Sequence, residues 1–320
     1  MESQFFSLMQ RICQTEFGSN GKMKITKIGK GTTAKVYLIR CRDHSLKDYK
    51  VVKLMKKHPG DERVNELNKI QKALNDIKFS NSLSKAVLLA SGLYFSAIDS
   101  YVYSVYPYVQ GRSLQEGKLS PSQLANLGQA LGSLNSPIAL EHYEKVRGEK
   151  KTSFIKFQER LGREMTDALD REVRKLRSYG IIHGDLNPGN ILWNGDEPVL
   201  IDFDCADMKY SLEDIFAVCF YYIYREDNND SRADLFTFLE SYNRMNPLFL
   251  PDWSLAFEIC VSKFAKRQTK KIGARLDKSN GLSVKHVAGI HTKILYPCKI
   301  KEKMISELEE VSLSLLRLSR

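Results

Sequence analysis

The stretch from Ile181 to Asp204, IIHGDLNPGNILWNGDEPVLIDFD, limits the possible fold more than any other part of the chain. It opens on the apolar pair Ile181-Ile182, passes through acids, amides and glycines, and closes on two acids around Phe203. Residues 191–201, ILWNGDEPVLI, read as a β-hairpin turning at Asn194-Gly195. A hairpin brings its two ends together. Asn190 and Asp202 should therefore lie side by side, with Asp185 nearby. Two oxygen ligands with a carboxylate beside them suit Mg²⁺ bridging nucleotide phosphates. The spare carboxylate could then take or orient a hydroxyl proton. The plainer reading is an acidic turn beside a hairpin.

The rest of the chain divides around Gly111. Residues 4–15 have the spacing of an amphipathic helix. Residues 23–41 alternate around a glycine-containing break, which predicts strand, turn, strand, and 49–55 predict a third strand. Val64, Leu67, Ile70 and Leu74 share one face of a helix over 61–74. Residues 85–95 and 100–111 read as two more strands. Beyond Gly111 the pattern is helical. Ser120-Pro121-Ser122-Gln123 has the form of a capping box with proline at the first helical position. Helices are expected over 152–178, 212–224, 231–244, 252–271 and 301–319. The expectation is an α+β chain with a β-rich lobe over residues 1–110 and a mostly helical lobe over 111–320.

The motif H-G-D-x-x-x-x-N followed by I-D-F-D resembles that of the aminoglycoside phosphotransferase and choline kinase superfamily, small-molecule relatives of the protein kinases. The resemblance implies a bilobal protein-kinase-like fold, ATP and Mg²⁺ as cofactors, and a hydroxyl group as acceptor. It assigns Asp185 as catalytic base and Asn190 and Asp202 as metal ligands. Ile28-Gly29-Lys30-Gly31-Thr32-Thr33-Ala34 resembles a kinase glycine-rich loop, with Ala34 in place of a third glycine, so Gly29, Gly31 and Thr32 are expected at the phosphates. Val51-Val52-Lys53 matches the strand whose lysine contacts the phosphates, with Lys50, Lys56 and Lys57 as rivals. Glu66 is the expected partner of Lys53, and Glu62 the second choice. Tyr106-Pro107-Tyr108-Val109 resembles the hinge that meets adenine through its backbone, which brings in Tyr108. Asp214 falls where relatives carry a structural aspartate. Asn135 replaces a histidine frequent in the family.

Three features separate the chain from protein kinases. Gly184 stands where most of them have arginine, Asp204 follows Phe203 in place of glycine, and eleven residues lie between Asp202 and Asp214, too few for an activation loop. A small-molecule acceptor is therefore favoured over a protein Ser/Thr substrate, with a nucleotide-binding pseudokinase scaffold as the other alternative. Asp204 is a candidate for a further metal or substrate contact.

The acceptor itself is not legible. Residues 263–278 carry seven basic groups and one acid, which suits either an anionic acceptor or a solvated helix face. The acids Glu226, Asp227, Asp230 and Asp234 suit an amine equally well as a polar loop. The net charge of +11 attracts anions in general, but no nucleic-acid module or interleaved aromatics accompany it. Tyr221, Tyr222 and Tyr224 read as core or helix-packing residues. The six cysteines have no C-x-x-C spacing and read mostly as buried thiols. No apolar run reaches the length of a membrane span and no signal peptide is recognisable, so a cytoplasmic location is expected. Oligomeric state is not encoded legibly.

Overall fold

The computed structural model describes residues 2–18, 23–28, 34–41, 49–56, 63–76, 83, 89, 91–114, 118–136, 179–225, 228–247, 253–254, 256–258, 260–261 and 300–318. Helix α1 spans Glu2–Phe17, followed by β1 (Met23–Lys27), β2 (Ala34–Cys41) and β3 (Tyr49–Lys56). Helix α2 (Arg63–Asp76) comes next, then β4 (Phe95–Ile98) and β5 (Tyr101–Pro107). The five strands form one antiparallel sheet in the order β1-β2-β3-β5-β4. Alternation along β3 turns Val52 and Leu54 toward α1, where they meet Leu8, Met9, Ile12 and Cys13 in one apolar cluster. On the opposite face Leu67 of α2 packs against Phe95 and Val102. Asn68 fixes that helix to the sheet edge: its amide oxygen accepts from the backbone N–H groups of Tyr94 and Phe95 at 2.7 and 2.9 Å.

Of the strand expected over 85–95, residues 91–94 form a turn and β4 begins at Phe95. The Gly92 N–H donates to the Leu89 carbonyl at 2.9 Å, closing a turn, and Gly92 has φ +74. A positive φ ends extended pairing there, so the strand begins at Phe95. Residues 84–88 and 90 lie outside the described set, as do 152–178 and 263–278.

The second half carries β6 (Arg112–Ser113), α3 (Pro121–Leu134), β7 (Tyr179–Ile182), β8 (Ile191–Asn194), β9 (Glu197–Leu200) and β10 (Asp207–Tyr210). Helix α4 (Leu212–Val218) runs into a π-helical turn over Cys219–Ile223, and α5 (Ser231–Met245) and α6 (Lys301–Leu318) complete it. The expected capping box opens α3: the Gln123 N–H donates to Ser120 Oγ at 3.1 Å, and Gln123 Oε1 accepts from the Ser120 N–H at 2.9 Å. Residues 253–254, 256–258 and 260–261 are helical, within the helix expected from 252. The hairpin forms, but its register places Asn194 opposite Glu197. Its two-residue turn is thus Gly195-Asp196, one residue later than the dipeptide rule suggests. Gly195 has φ +61 at the first central position, where a type II′ turn takes glycine.

Helices α3 and α5 pack closely because Gly128 and Gly132 offer no side chain. A Cβ on them would lie 2.3 Å from the Phe238 carbonyl and 2.5 Å from that of Tyr242. One large apolar cluster gathers α3, the β7–β10 segment, α4, α5 and α6, and it also takes Ile70, Ala73 and Leu74 from the last turns of α2. No helix among the described residues is long and apolar enough to cross a membrane. Cys13, Cys219 and Cys260 are buried, while Cys205 is exposed.

Candidate active site

The loop between β7 and β8 is built around buried backbone amides. Asp214, in the first turn of α4, is 1% exposed and accepts from the N–H groups of His183 at 2.8 Å and Gly184 at 3.1 Å. Burial raises its pKa despite these donors. Gly184 has φ +76, and a Cβ there would stand 2.3 Å from the Cys205 carbonyl. Glycine in H-G-D is therefore demanded by geometry. His183 bonds the Ile201 carbonyl through Nε2 at 2.8 Å and accepts the Asp185 N–H on Nδ1 at 3.4 Å. A carbonyl can only accept, so the proton sits on Nε2.

Asp185 follows, half-buried. Asn187 accepts from the Gly189 N–H at 2.9 Å and opens the 3₁₀ turn Pro188–Asn190, while Ser113 Oγ donates to the Pro188 carbonyl at 2.7 Å. That turn carries Asn190 back toward Asp185: its Nδ2 donates to the Asp185 carbonyl at 2.8 Å and lies 3.5 Å from Oδ2. The Ile201 N–H donates to the Asn190 carbonyl at 3.0 Å, which closes the hairpin and sets Asp202 beside this loop.

Asp202 adopts the left-handed conformation, φ 67 and ψ 62, unusual for a side chain with Cβ. Lys53 projects from the sheet face opposite Val52 and Leu54. Its Nζ lies 2.6 Å from Asp202 Oδ1 and 2.6 Å from Asp204 Oδ2. Burial alone would lower the lysine pKa, but Asp204 and Asp202 outweigh it and raise the value above the ordinary range. Burial raises the Asp204 pKa, Lys53 lowers it and Asp202 raises it; the net shift is upward. Asp204 Oδ1 is buried and has no hydrogen-bond partner among the described residues.

Glu66 is displaced from its expected role. Lys53 is paired with Asp202 and Asp204, whereas the described ion pair of Glu66 is with Lys69 at 4.0 Å. Two carboxylates at 2.6 Å satisfy a buried ammonium better than one glutamate on the rim of α2. At Tyr108 the N–H donates to the Tyr49 carbonyl at 3.1 Å, extending the β3–β5 ladder. That donor is already used, leaving its carbonyl and its 40% exposed ring, which sits 5.7 Å from the Tyr49 ring. Gly29, Gly31, Thr32, Glu62 and Lys57 lie outside the described residues.

Two residues outside the expected site set are integral here. Arg63, at the start of α2, donates through Nη2 to the carbonyls of Asp204 (3.0 Å) and Ala206. Nothing local distinguishes this arginine from a solvated one. Asn135 is 1% exposed and donates to the Ile181 carbonyl at 2.7 Å, accepts from the Tyr242 hydroxyl at 3.0 Å, and lies 3.4 Å from Asp214. Its departure from the family histidine thus falls at a junction of β7, α4 and α5. Strand β10 was likewise unforeseen; it pairs antiparallel with β7 and lies within the chain between Asp202 and Asp214.

Asp202, Asp204 and Asn190 each offer a side-chain oxygen, the donor type that a hard divalent cation takes. Among the described residues no three His, Cys, Asp or Glu side chains form a metal-holding group. The orphaned Asp204 Oδ1 and the strained Asp202 are both consistent with a divalent-cation site.

No curated protein sequence matches the chain at a significant level. Solved structures do match over nearly the whole length. Amicoumacin kinase, in a complex with AMP-PNP, Ca²⁺ and its antibiotic, has 16% identity and a TM-score of 0.61, covering 93% of this chain and 96% of its own. A microcompartment-associated aminopropanol kinase has 15% identity and a TM-score of 0.60, with 95% and 98% covered. Choline kinase from Cryptosporidium parvum Iowa II has 11% identity and a TM-score of 0.56, with 97% and 99% covered. At these identities the likeness shows a shared fold, that of the protein-kinase-like small-molecule kinases: a β-sheet lobe and a helical lobe. Residues 24–248 match the model of APH, the phosphotransferase enzyme family, and the chain belongs to that family.

Proposed function

We propose that this protein transfers the γ-phosphoryl group of ATP to a hydroxyl of a small molecule. The observation that carries the reading is the convergence of Lys53, Asp202 and Asp204 across the two lobes, with Asn190 bonded to Asp185 beside them. On this reading Lys53 and the backbone of residues 29–32 hold the phosphates. Asn190 and Asp202 would hold Mg²⁺, which neutralises charge on the transferring group when bound. Asp185 accepts the proton of the acceptor hydroxyl and orients its oxygen. Asn190, donating to the Asp185 carbonyl, and Asp214, fixing the two preceding amides, keep that carboxylate in place. The hinge region around Tyr108 receives the base.

The small-molecule assignment is supported by the segment after Asp202. A 3₁₀ turn, strand β10 and the start of α4 fill it, with no length for a loop that would dock a peptide. Relatives in fold act on such molecules by their names, an aminopropanol and choline among them.

The test is a γ-phosphate transfer screen over amino alcohols, aminoglycosides, sugars, sugar phosphates and nucleosides, with a protein substrate as control. Asp185→Asn should lower transfer by about 10³-fold or more while nucleotide binding stays within about twofold. Transfer at near wild-type rates by that variant removes the base assignment. Nucleotide binding with no transfer to any compound returns the chain to the scaffold reading.

A further inference from the structure

Three of the six enclosed side-chain atoms without a hydrogen-bond partner among the described residues gather around one lysine. They are Ser104 Oγ, the Tyr106 hydroxyl and Asp204 Oδ1. Ser104 is fully buried and Tyr106 is 7% exposed. A polar group taken from water and left unbonded is costly, so three in one place call for a reason.

Strand register brings them together. In the β3–β5 pairing Lys53 stands opposite Ser104, and alternation puts Tyr106 on the same face of β5, diagonal to the lysine. Tyr103 and Val105, the residues between and before, turn the other way into the cluster with α1. From the shared face the Lys53 ammonium reaches Asp204 Oδ2 at 2.6 Å. The charges agree with this placement. Burial first, then the Asp204 charge, raise the Tyr106 pKa, while Lys53 and the neighbouring Ser104 hydroxyl temper the rise. The phenol therefore keeps its proton and is a donor.

Asp204 depends on a cation that has other work. Lys53 is divided between Asp204 and Asp202, each at 2.6 Å. Arg63 bonds the Asp204 backbone carbonyl. If phosphates draw the ammonium toward themselves, the Asp204 carboxylate loses its bonded partner where its side chain is only 18% exposed.

We propose that Ser104 and Tyr106 are positioning residues that act through Asp204. When nucleotide phosphates draw Lys53 away, the Tyr106 hydroxyl donates to Asp204 Oδ1 and the Ser104 hydroxyl donates to the Tyr106 oxygen. This one chain employs all three orphaned atoms and holds Asp204 in place while the lysine changes partners. The cost of leaving the hydroxyls unbonded falls on the free protein, and their gain falls on the nucleotide-bound one. The inference rests on the phosphotransferase reading above, which brings the phosphates to Lys53.

The experiment uses the full chain with Tyr106→Phe, Ser104→Ala, Asp204→Ala and the double variant Tyr106→Phe/Asp204→Ala. Each is melted without ligand and titrated calorimetrically with AMP-PNP and Mg²⁺. Removing a buried hydroxyl that has no partner should leave the melting temperature unchanged or raise it. The same change should weaken AMP-PNP about 10-fold in Tyr106→Phe, the loss of one hydrogen bond to a carboxylate, and about threefold in Ser104→Ala, which takes only the far end of the chain. Added to Asp204→Ala, Tyr106→Phe should change the affinity by less than about twofold.

Wild-type affinity in Tyr106→Phe and Ser104→Ala overturns the proposal, and is the result expected if Asp204 Oδ1 turns to a cation instead. A lowered melting temperature in both overturns it too, because the hydroxyls would then be bonded before nucleotide arrives. An undiminished effect of Tyr106→Phe in the Asp204→Ala background shows the phenol acting on the nucleotide directly, with the same consequence. The two ideas fail separately. A wild-type protein that binds no AMP-PNP defeats the phosphotransferase reading, whereas normal binding that is indifferent to both hydroxyls defeats only the role of Ser104 and Tyr106.

Discussion

Gly184 shows how a single missing side chain sets the loop that leads to Asp185. With φ +76 and a would-be Cβ 2.3 Å from the Cys205 carbonyl, the position excludes even alanine, for both backbone and packing reasons. Gly184→Ala must separate the His183–Asp185 loop from the Asp202–Cys205 turn. A loss of about 2–4 kcal/mol is expected by urea denaturation, with activity lost alongside. Lys53 makes the complementary case. Its side chain is 7% exposed and that of Asp204 is 18% exposed, so the ammonium is what makes the buried carboxylate tolerable. Lys53→Ala should cost on the order of 2 kcal/mol, discounted for the exposed part of Asp202, and adding Asp204→Ala should recover part of that loss. If the double variant is as unstable as the sum of the singles, the two residues are not coupled and the pairing is wrong.

Elements whose signals lie in neighbouring residues were legible before any coordinates. The capping box at Ser120 and Gln123 is one, and its removal in Ser120→Ala should lower stability by about 1 kcal/mol in a thermal melt. The β1–β2 hairpin, the α2 face and the β8–β9 hairpin are others, because alternation and turn chemistry are local. The hairpin also led to Asp185 being expected near Asn190, whose Nδ2 donates to the Asp185 carbonyl. What escaped depends on distant partners. Strand β10 has no pattern of its own and exists because β7 offers it an edge. Glu66 lost Lys53 to two aspartates some 150 positions away in sequence, one of which, Asp204, had been read only as a metal or substrate contact. The bond from the Tyr108 amide to Tyr49 likewise comes from strand pairing. Gly195-Asp196 replaced Asn194-Gly195 as the turn because register, fixed by burying Ile191 and Trp193 with Leu200, outweighs a dipeptide preference.

For the molecule as a whole, α2 is the member shared by both halves. Leu67 packs on the sheet, Ile70, Ala73 and Leu74 enter the large core, and Arg63 reaches the turn that carries Asp202 and Asp204. This division predicts two distinct kinds of damage. Leu74 is fully buried, so Leu74→Ala should cost about 2–5 kcal/mol and lower the melting temperature of the whole protein, while the affinity of the remaining folded molecules for nucleotide changes little. Arg63→Ala removes a charged donor from two carbonyls of the turn without opening either core. Its cost to the melting temperature should be the smaller of the two, yet nucleotide dissociation should rise about 10-fold, because the turn loses the contact that sets its angle against β3. Arg63→Lys should not restore it, since the shorter lysine stem cannot bring its ammonium to where Nη2 stands between the two carbonyls. Calorimetric titration of an ATP analogue against both variants, alongside their melting curves, decides the matter. If affinity follows stability in both, α2 acts only as a packing element; if it follows Arg63 alone, the helix transmits the position of one lobe to Asp202 and Asp204 in the other.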